Sequence, residues 1–305
     1  MGPFFSIVIP TYNQLNLLKK ALASIEQQTF NDYEVIIIDN NSNDGTRDYL
    51  INKKGIVYKS INNEGVIAKS RNLGIQESKG QWISFLDSDD FWSKNKLYDT
   101  FNEIKKNYFN VICNDEWIIN LFKNEKKIWS YGPYEKDFYK KLLLFGNRNS
   151  TSATSVNKKF LVDNQIKFNE KKEFVTAEDY EFFLHIASKN GVFRYLNAPL
   201  GIHLFHQKSE SANYKRLYDA QINVLKHHIF YIQNFEKKNK LWKNVEDMNK
   251  IKSNFLKFKK YGKKIYLFYI SLLIFLSPIN SFYYLVFLFK KFFRQYKLKK
   301  IYKLD

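Results

Sequence analysis

"QWISFLDSDD", residues 81–90, runs from a short aromatic and β-branched segment directly into three carboxylates, Asp87, Asp89 and Asp90. Mutual repulsion among them is costly wherever water is partly excluded. The cluster therefore points to a cation held between them, with a divalent metal the obvious candidate. The segment in front has the length and composition of a buried strand.

Three comparable runs precede it: "FFSIVIP" (4–10), "YEVIIID" (33–39) and "GIVYKSI" (55–61). Between them lie "NLLKKALASIEQQ", "GTRDYLIN" and "EGVIAKSRNLGIQES", where apolar residues recur at the three- and four-residue spacing of helices. This βαβαβαβ order predicts an α/β domain with an open, mostly parallel sheet covered by helices on both faces. Ligands of such sheets bind beyond the carboxyl ends of the strands. Polar clusters follow all four strands at that edge: "PTYN" (10–13), "DNNSNDGT" (39–46), "NNEG" (62–65) and "DSDD" (87–90). Asn, Asp, Ser and Gly are also the ordinary residues of turns and helix caps, and "DNNSNDGT" taken alone reads equally well that way. Four clusters at one edge, one of them rich in carboxylates, favour a binding edge.

The 305 residues, 45% hydrophobic, suffice for one large domain with an appendage or for two small domains. A single cysteine, Cys113, excludes an internal disulfide and a cysteine-rich zinc site. At the start, "MGPFFSIVIP" has no basic stretch leading into an apolar run, so a cleaved export signal is not expected. The net charge of +19 is unevenly spread. From Lys237 onward, 18 Lys and Arg face three acids, Glu246, Asp247 and Asp305, so +15 belongs to the tail and +4 to the first 236 residues.

Within that tail, "IYLFYISLLIFLSPINSFYYLVFLF" (265–289) has no charged side chain. As one helix it would reach about 38 Å, beyond the roughly 30 Å of a hydrocarbon core. Pro278 and Asn280 divide it, and lysines flank both ends, which the positive-inside rule places on the cytoplasmic side. A re-entrant or interfacial helical hairpin is the favoured reading, ahead of a single transmembrane span and of a helix pair closing a soluble core. The aromatic residues sit in an uncharged block rather than between the lysines, which argues against nucleic acid as partner.

"SIVIPTYN", "ALASIEQQTFNDYEVIIIDNNSNDGT", "NEGVIAKSRNLGIQESKGQWISFLDSDD" and, after a gap, "FNEKKEFVTAEDYEFFLHIA" and "HQKSES" follow one another over residues 4–211. In that order and spacing they resemble a family 2 glycosyltransferase of the GT-A fold, of the bacterial cell-surface glycan type. The resemblance implies a nucleotide-diphospho-sugar transferase domain over 1–211, with 1–110 the nucleotide-sugar-binding half and 111–211 the acceptor half. A helical basic extension over 212–264 and a membrane-associated segment with a basic tail over 265–305 would follow.

It also implies roles. On the donor side, Pro10, Thr11 and Tyr12 would support base and ribose and Asp39 would accept the uracil N3–H. Asn41, Lys69 and Arg71 would add further donor contacts. The family pattern usually has a second acidic residue where this chain has Asn40, which bears on the choice of UDP over another nucleotide. Asp87-Ser88-Asp89 matches the D-x-D motif, with Asp87 and Ser88 toward the ribose and Asp89 coordinating Mn²⁺ or Mg²⁺, hard ions suited to oxygen ligands. Asp179 matches the general base, with Glu178 beside it. In isolation this acidic pair reads as the cap of an amphipathic helix with Phe182, Phe183, Ile186 and Ala187 inward. His206 matches a histidine that closes the metal or diphosphate site, and His203 is the weaker candidate.

The expected protein is an inverting hexosyltransferase at the cytoplasmic face of a bacterial inner membrane. It would move a sugar from a nucleotide-diphosphate sugar, in first place a UDP-sugar, to a glycan or lipid-linked acceptor in polysaccharide, lipopolysaccharide or capsule synthesis. Its basic tail would meet the membrane surface. Three alternatives compete: a sugar-phosphate nucleotidyltransferase, a basic nucleic-acid-binding protein and an inactive membrane scaffold. "PTYNQLNLLKK" lacks the glycines that the first requires after its first strand, and Asp39, Asp87, Asp89 and Asp179 weigh against the last.

Overall fold

The computed structural model describes residues 2–206, 213–233 and 235–258, with scattered positions from 282 to 302. Apart from isolated positions, the apolar stretch 265–289 lies outside the described residues. Among the described residues no helix is long and apolar enough to cross a membrane.

The β-branched runs become strands β1 (Phe5–Thr11), β2 (Tyr33–Asp39), β3 (Ile56–Ser60) and β4 (Trp82–Phe85), all parallel and ordered β3-β2-β1-β4. Every residue of β1 is buried, as a strand covered on both faces requires. Helices α1 (Leu15–Glu26), α2 (Thr46–Ile51) and α3 (Ile67–Glu77) make the crossovers. α1 buries the stripe Leu18, Ala21, Leu22 and Ile25 and leaves Lys19 and Lys20 exposed.

α3 lies against β1 at Gly74, where a methyl group would meet Val8 Cγ1 at 2.2 Å. Val8 is fully buried and stiff at χ1. Gly74→Ala should therefore destabilise the fold by about 1–3 kcal/mol through overpacking, although Ala is the better helix former by about 1 kcal/mol. Urea unfolding that found the variant equally or more stable would show that α3 can lift from β1 at no cost.

Beyond β4 the expected mostly parallel sheet becomes mixed. Helix α4 (Lys96–Lys106) follows the short strand β5 (Phe91–Trp92), and β6 (Val111–Asn120), β7 (Glu125–Trp129), β8 (Thr154–Asn157) and β9 (Phe193–Phe205) complete the sheet. The order continues β4-β8-β6-β9-β5, with β7 on β6. β8 is antiparallel to β4 and β6, β7 to β6, and β5 to β9, while β6 and β9 are parallel. The hairpin from β6 to β7 is too short for a parallel return, which needs a crossover of roughly a dozen residues or more. β8 starts beside the carboxyl end of β4, with its second residue Ser155 opposite Ser84, so the loop before it is delivered to the binding edge.

Helices α5 (Phe138–Phe145), α6 (Lys158–Asp163), α7 (Glu178–Ser188), α8 (Tyr214–His227) and α9 (Lys238–Phe258) follow along the chain. α7 buries Phe182, Phe183, Ile186 and Ala187 as their spacing predicts. Phe182 stacks on Phe168 with centroids 4.0 Å apart and meets Phe85 edge-on at 6.0 Å, which fastens the start of α7 beside the end of β4. The described residues divide into two compact units, one from Met1–Tyr134 and Arg148–Val224, the other from Glu135–Asn147 and Leu225–Asp305. In the second unit α5 packs on α9. All the site residues discussed below belong to the first.

Candidate active site

The strand ends open into a cavity of about 1090 Å³, room for more than one small ligand. Pro10, Thr11, Tyr12 and Asn41 line it from the ends of β1 and β2. Arg71, Asp87, Ser88 and Asp89 come from α3 and the end of β4, and Glu178 and Asp179 from the start of α7. Ten of the thirteen residues singled out in the sequence thus share one cavity.

Arg71 joins the parts. The residue is 3% exposed, and its guanidinium donates to Asp87 Oδ1 and to Glu178 Oε1, both at 2.8 Å. Burial alone would weaken its proton affinity, but Asp87 and Glu178 raise its pKa, so the residue is a permanent cation. Asp87 also accepts from Thr151 Oγ1 at 3.2 Å, and its amide donates to Ser152 Oγ at 3.1 Å.

The three carboxylates that opened the reading have three different environments. Asp87 pairs with Arg71, Asp89 Oδ2 lies 2.9 Å from His206 Nε2, and Asp90 Oδ1 lies 3.1 Å from His203 Nδ1. Part of the positive charge the cluster demands is therefore supplied by the chain itself. Asp90 is buried and also accepts from Ser152 Oγ at 2.6 Å and from the Leu204 amide at 3.1 Å, so it ties the turn after β4 to β9. Asp90 in turn pushes the His203 imidazole up to about 10. Asp89 is raised to about 6, by burial first and then by Asp90 and Asp87.

Asp179 is pushed up to about 7 by burial and by the neighbouring Glu178, with Arg71 opposing. Its Oδ1 accepts from the adjacent Tyr180 amide at 2.7 Å, within the first turn of α7, whose N-cap Ala177 offers no side-chain cap, while Glu178 is committed to Arg71. Immediately before the pair, Thr176 has a φ of 82°. Such a value is a rare strained state for a β-branched residue and it occurs here at the cavity wall.

Three of the thirteen residues do not line the cavity. Asp39 is buried behind it, accepting from the Ser42 amide and hydroxyl and from Tyr58 OH at 3.0 Å, and so holds the loop 40–42 in place. Lys69 is paired with Glu64 at 2.9 Å. His206 reaches the cavity through Asp89. Asn40, where the family pattern has an acid, accepts from the Asn63 amide at 2.8 Å and braces two loops of the edge. Tyr131, Asn149, Ser150, Thr151 and Thr176 line the cavity without having been singled out. For 149–151 a signal exists in the polar run "NRNSTS" (147–152), of the same kind as the four clusters read at the strand ends.

Among the described residues no group of three or more His, Cys, Asp or Glu is assembled to hold a metal ion. Asp89 and His206 nevertheless suit a divalent cation whose remaining ligands are diphosphate oxygens. Mg²⁺ in particular is commonly held by one or two carboxylates plus substrate phosphates. Burial first, and then the charges of Asp90 and Asp87, disfavour a bare carboxylate at Asp89, and such an ion would offset both.

The model of the family described as Glycosyl transferase family 2 matches residues 6–162. The UDP-Glc:alpha-D-GlcNAc-diphosphoundecaprenol beta-1,3-glucosyltransferase WfgD of Escherichia coli is 30% identical over 189 residues, which cover 61% of this chain and 71% of WfgD. The poly(ribitol-phosphate) beta-N-acetylglucosaminyltransferase TarP of Staphylococcus aureus (strain N315) is 34% identical over 198 residues, 61% of this chain and 58% of TarP. Among solved structures, S. aureus TarS 1-349 in complex with UDP-GlcNAc is similar with a TM-score of 0.60 at 19% identity, over 80% of this chain and 72% of that one. A longer TarS chain gives a TM-score of 0.59 at 20% identity, and this chain spans only 43% of it. At such identities the likeness to TarS concerns the fold.

Proposed function

Because the chain belongs to glycosyl transferase family 2 and is therefore a glycosyltransferase, we propose that it transfers a sugar, with inversion, from a UDP-sugar to a hydroxyl of a glycan or lipid-linked acceptor in bacterial cell-surface glycan synthesis. The observation that carries this reading is the double pairing of Arg71, which brings the D-x-D segment and the Glu178-Asp179 pair to one cavity. A donor and an acceptor hydroxyl could meet there.

On the donor side, Pro10, Thr11, Tyr12 and Asn41 take the nucleoside, with Asp39 fixing the loop that carries Asn41, and Asp87 and Ser88 take the ribose side. Lys69 stands outside and would reach the donor only by leaving Glu64. Asp89 and His206 would hold Mn²⁺ or Mg²⁺, which when bound offsets the charge of the departing diphosphate. Asp179 accepts the acceptor's proton as the new oxygen–carbon bond forms and the anomeric carbon–phosphate oxygen bond breaks. Glu178, engaged by Arg71, is the poorer base.

A lipid-linked acceptor, the class named for WfgD, would place the enzyme at the cytoplasmic face of the membrane, with the basic C-terminal region on the surface. UDP release from a panel of UDP-sugars, with and without Mn²⁺, tests the reading. Release from none of them would remove it. Asp89→Asn should abolish the metal-dependent part of UDP binding, and calorimetry that found the same affinity with Mn²⁺ in the variant would remove Asp89 as a ligand.

A further inference from the structure

The hairpin between β6 and β7 exposes side chains that a turn does not need. Leu121 is 60% exposed and Phe122 51% exposed at its tip, beside Lys123, Lys126 and Lys127, with Glu125 the one acid between them. Asn120 Oδ1 accepts from the Phe122 and Lys123 amides at 3.0 and 3.2 Å, so the tip has a defined shape. Lys126 lies over the Trp117 ring at 4.2 Å and Lys127 over Trp129 at 5.5 Å. Lysines on an edge strand are a common guard against unwanted strand pairing. Leu121 and Phe122 serve no such purpose, since turn residues are ordinarily polar.

We propose that this hairpin docks on an anionic lipid bilayer, with Leu121 and Phe122 entering the interface and Lys123, Lys126 and Lys127 meeting headgroup phosphates. The combination of apolar tip, aromatic rings and a cationic rim is the chemistry of an interfacial anchor, and its net positive charge complements anionic lipid. It belongs to the unit that holds the cavity. Its position also gives it a use, one that rests on the proposed lipid-linked acceptor. The Leu121 amide donates to Phe205 O at 3.1 Å and the Phe122 and Phe205 rings are 5.9 Å apart. The next residue after Phe205 is His206, bonded to Asp89. A bilayer held at the tip would therefore lie next to the diphosphate end of the cavity, where a lipid-linked acceptor must arrive.

The test uses the full chain carrying Glu125→Cys, which keeps both apolar residues and all three lysines, labelled with an environment-sensitive fluorophore. Cys113 is buried, with its thiol pushed up to about 12, so labelling is confined to the new position. On vesicles of phosphatidylethanolamine and phosphatidylglycerol the emission should shift to the blue and be quenched by chain-brominated lipid. Adding Leu121→Ser and Phe122→Ser should reduce the quenching to the level seen on pure phosphatidylcholine. A protein that co-sediments with the anionic vesicles while its label stays unquenched overturns the proposal, as does quenching that survives both Ser substitutions. A blue shift that grows with protein concentration before vesicles are added would also overturn it, because a second copy would then cover the tip. The vesicles contain neither donor nor acceptor, so a negative result here leaves the glycosyltransferase reading standing, and a failed donor screen leaves this one standing.

Discussion

Asp179→Asn is expected to lower transfer by about 10²–10⁴-fold with donor affinity nearly unchanged, the loss that follows removal of a general base. The carboxyl is raised to about 7 by burial and by Glu178, which suits a group that must both accept a proton and release it near neutrality. Transfer by the parent protein should therefore fall on the acid side of about pH 7 and reach a plateau above it, and the variant should lack that limb. Asn preserves an oxygen for the Tyr180 amide, so a residue acting only as a helix cap would show little change in turnover. Near-normal transfer by folded Asp179→Asn protein would remove it as the base. Stability supplies a second readout. A carboxyl whose folded pKa is raised favours the protonated fold, so the parent loses stability as pH climbs from the ordinary carboxylate range to about 7 and little thereafter. The advantage of the Asn variant should grow over that window and then stay level.

The first half of the fold could be read from the chain because each of its strands carries its own local signal. Residues 33–39 form β2 as expected, and β1 is displaced by one residue, to Phe5–Thr11. β4 stops at Phe85, short of the expected Asp87, because the chain there turns toward Arg71 and Ser152. The second half carries no comparable signal. β8 pairs with β4 and β6 from far along the chain, and β6 and β9 align only through register shifts around Asp115, so neither partner nor direction is written in local periodicity. The site divides along the same line. The carboxylate cluster at 87–90 was legible because strand ends mark themselves with polar residues, whereas the acidic pair, taken alone, read as a helix cap and pointed to the site only through the family resemblance. The partners were not: Arg71 meets Glu178 across 107 positions, Asp90 turns inward to β9, and Thr176 owes its place to a backbone angle.

Arg71→Met should cost about 3–5 kcal/mol of stability, the range for stranding the partners of a buried charge. Met keeps the length and apolar stem but leaves Asp87 and Glu178 facing each other's charge, with the Glu178 side chain only 8% exposed. Arg71→Lys should fall between, since one ammonium does not reproduce a planar fork that meets two carboxylates at 2.8 Å each. Pairing Arg71→Met with Glu178→Gln removes one stranded charge and should return part of the stability. Urea unfolding gives these values, and unchanged stability in Arg71→Met would mean that the guanidinium does not hold the two halves of the cavity together. A purely structural role would leave the pH dependence of the remaining activity alone. Arg71 also lowers the pKa of Asp179, so in the fraction of Arg71→Met that folds the acid limb of transfer should move to higher pH. In Arg71→Met/Glu178→Gln it should move back, because Glu178 is the neighbouring charge that raises Asp179. A limb that stays near 7 in both variants would separate Arg71 from the base and confine its role to the fold.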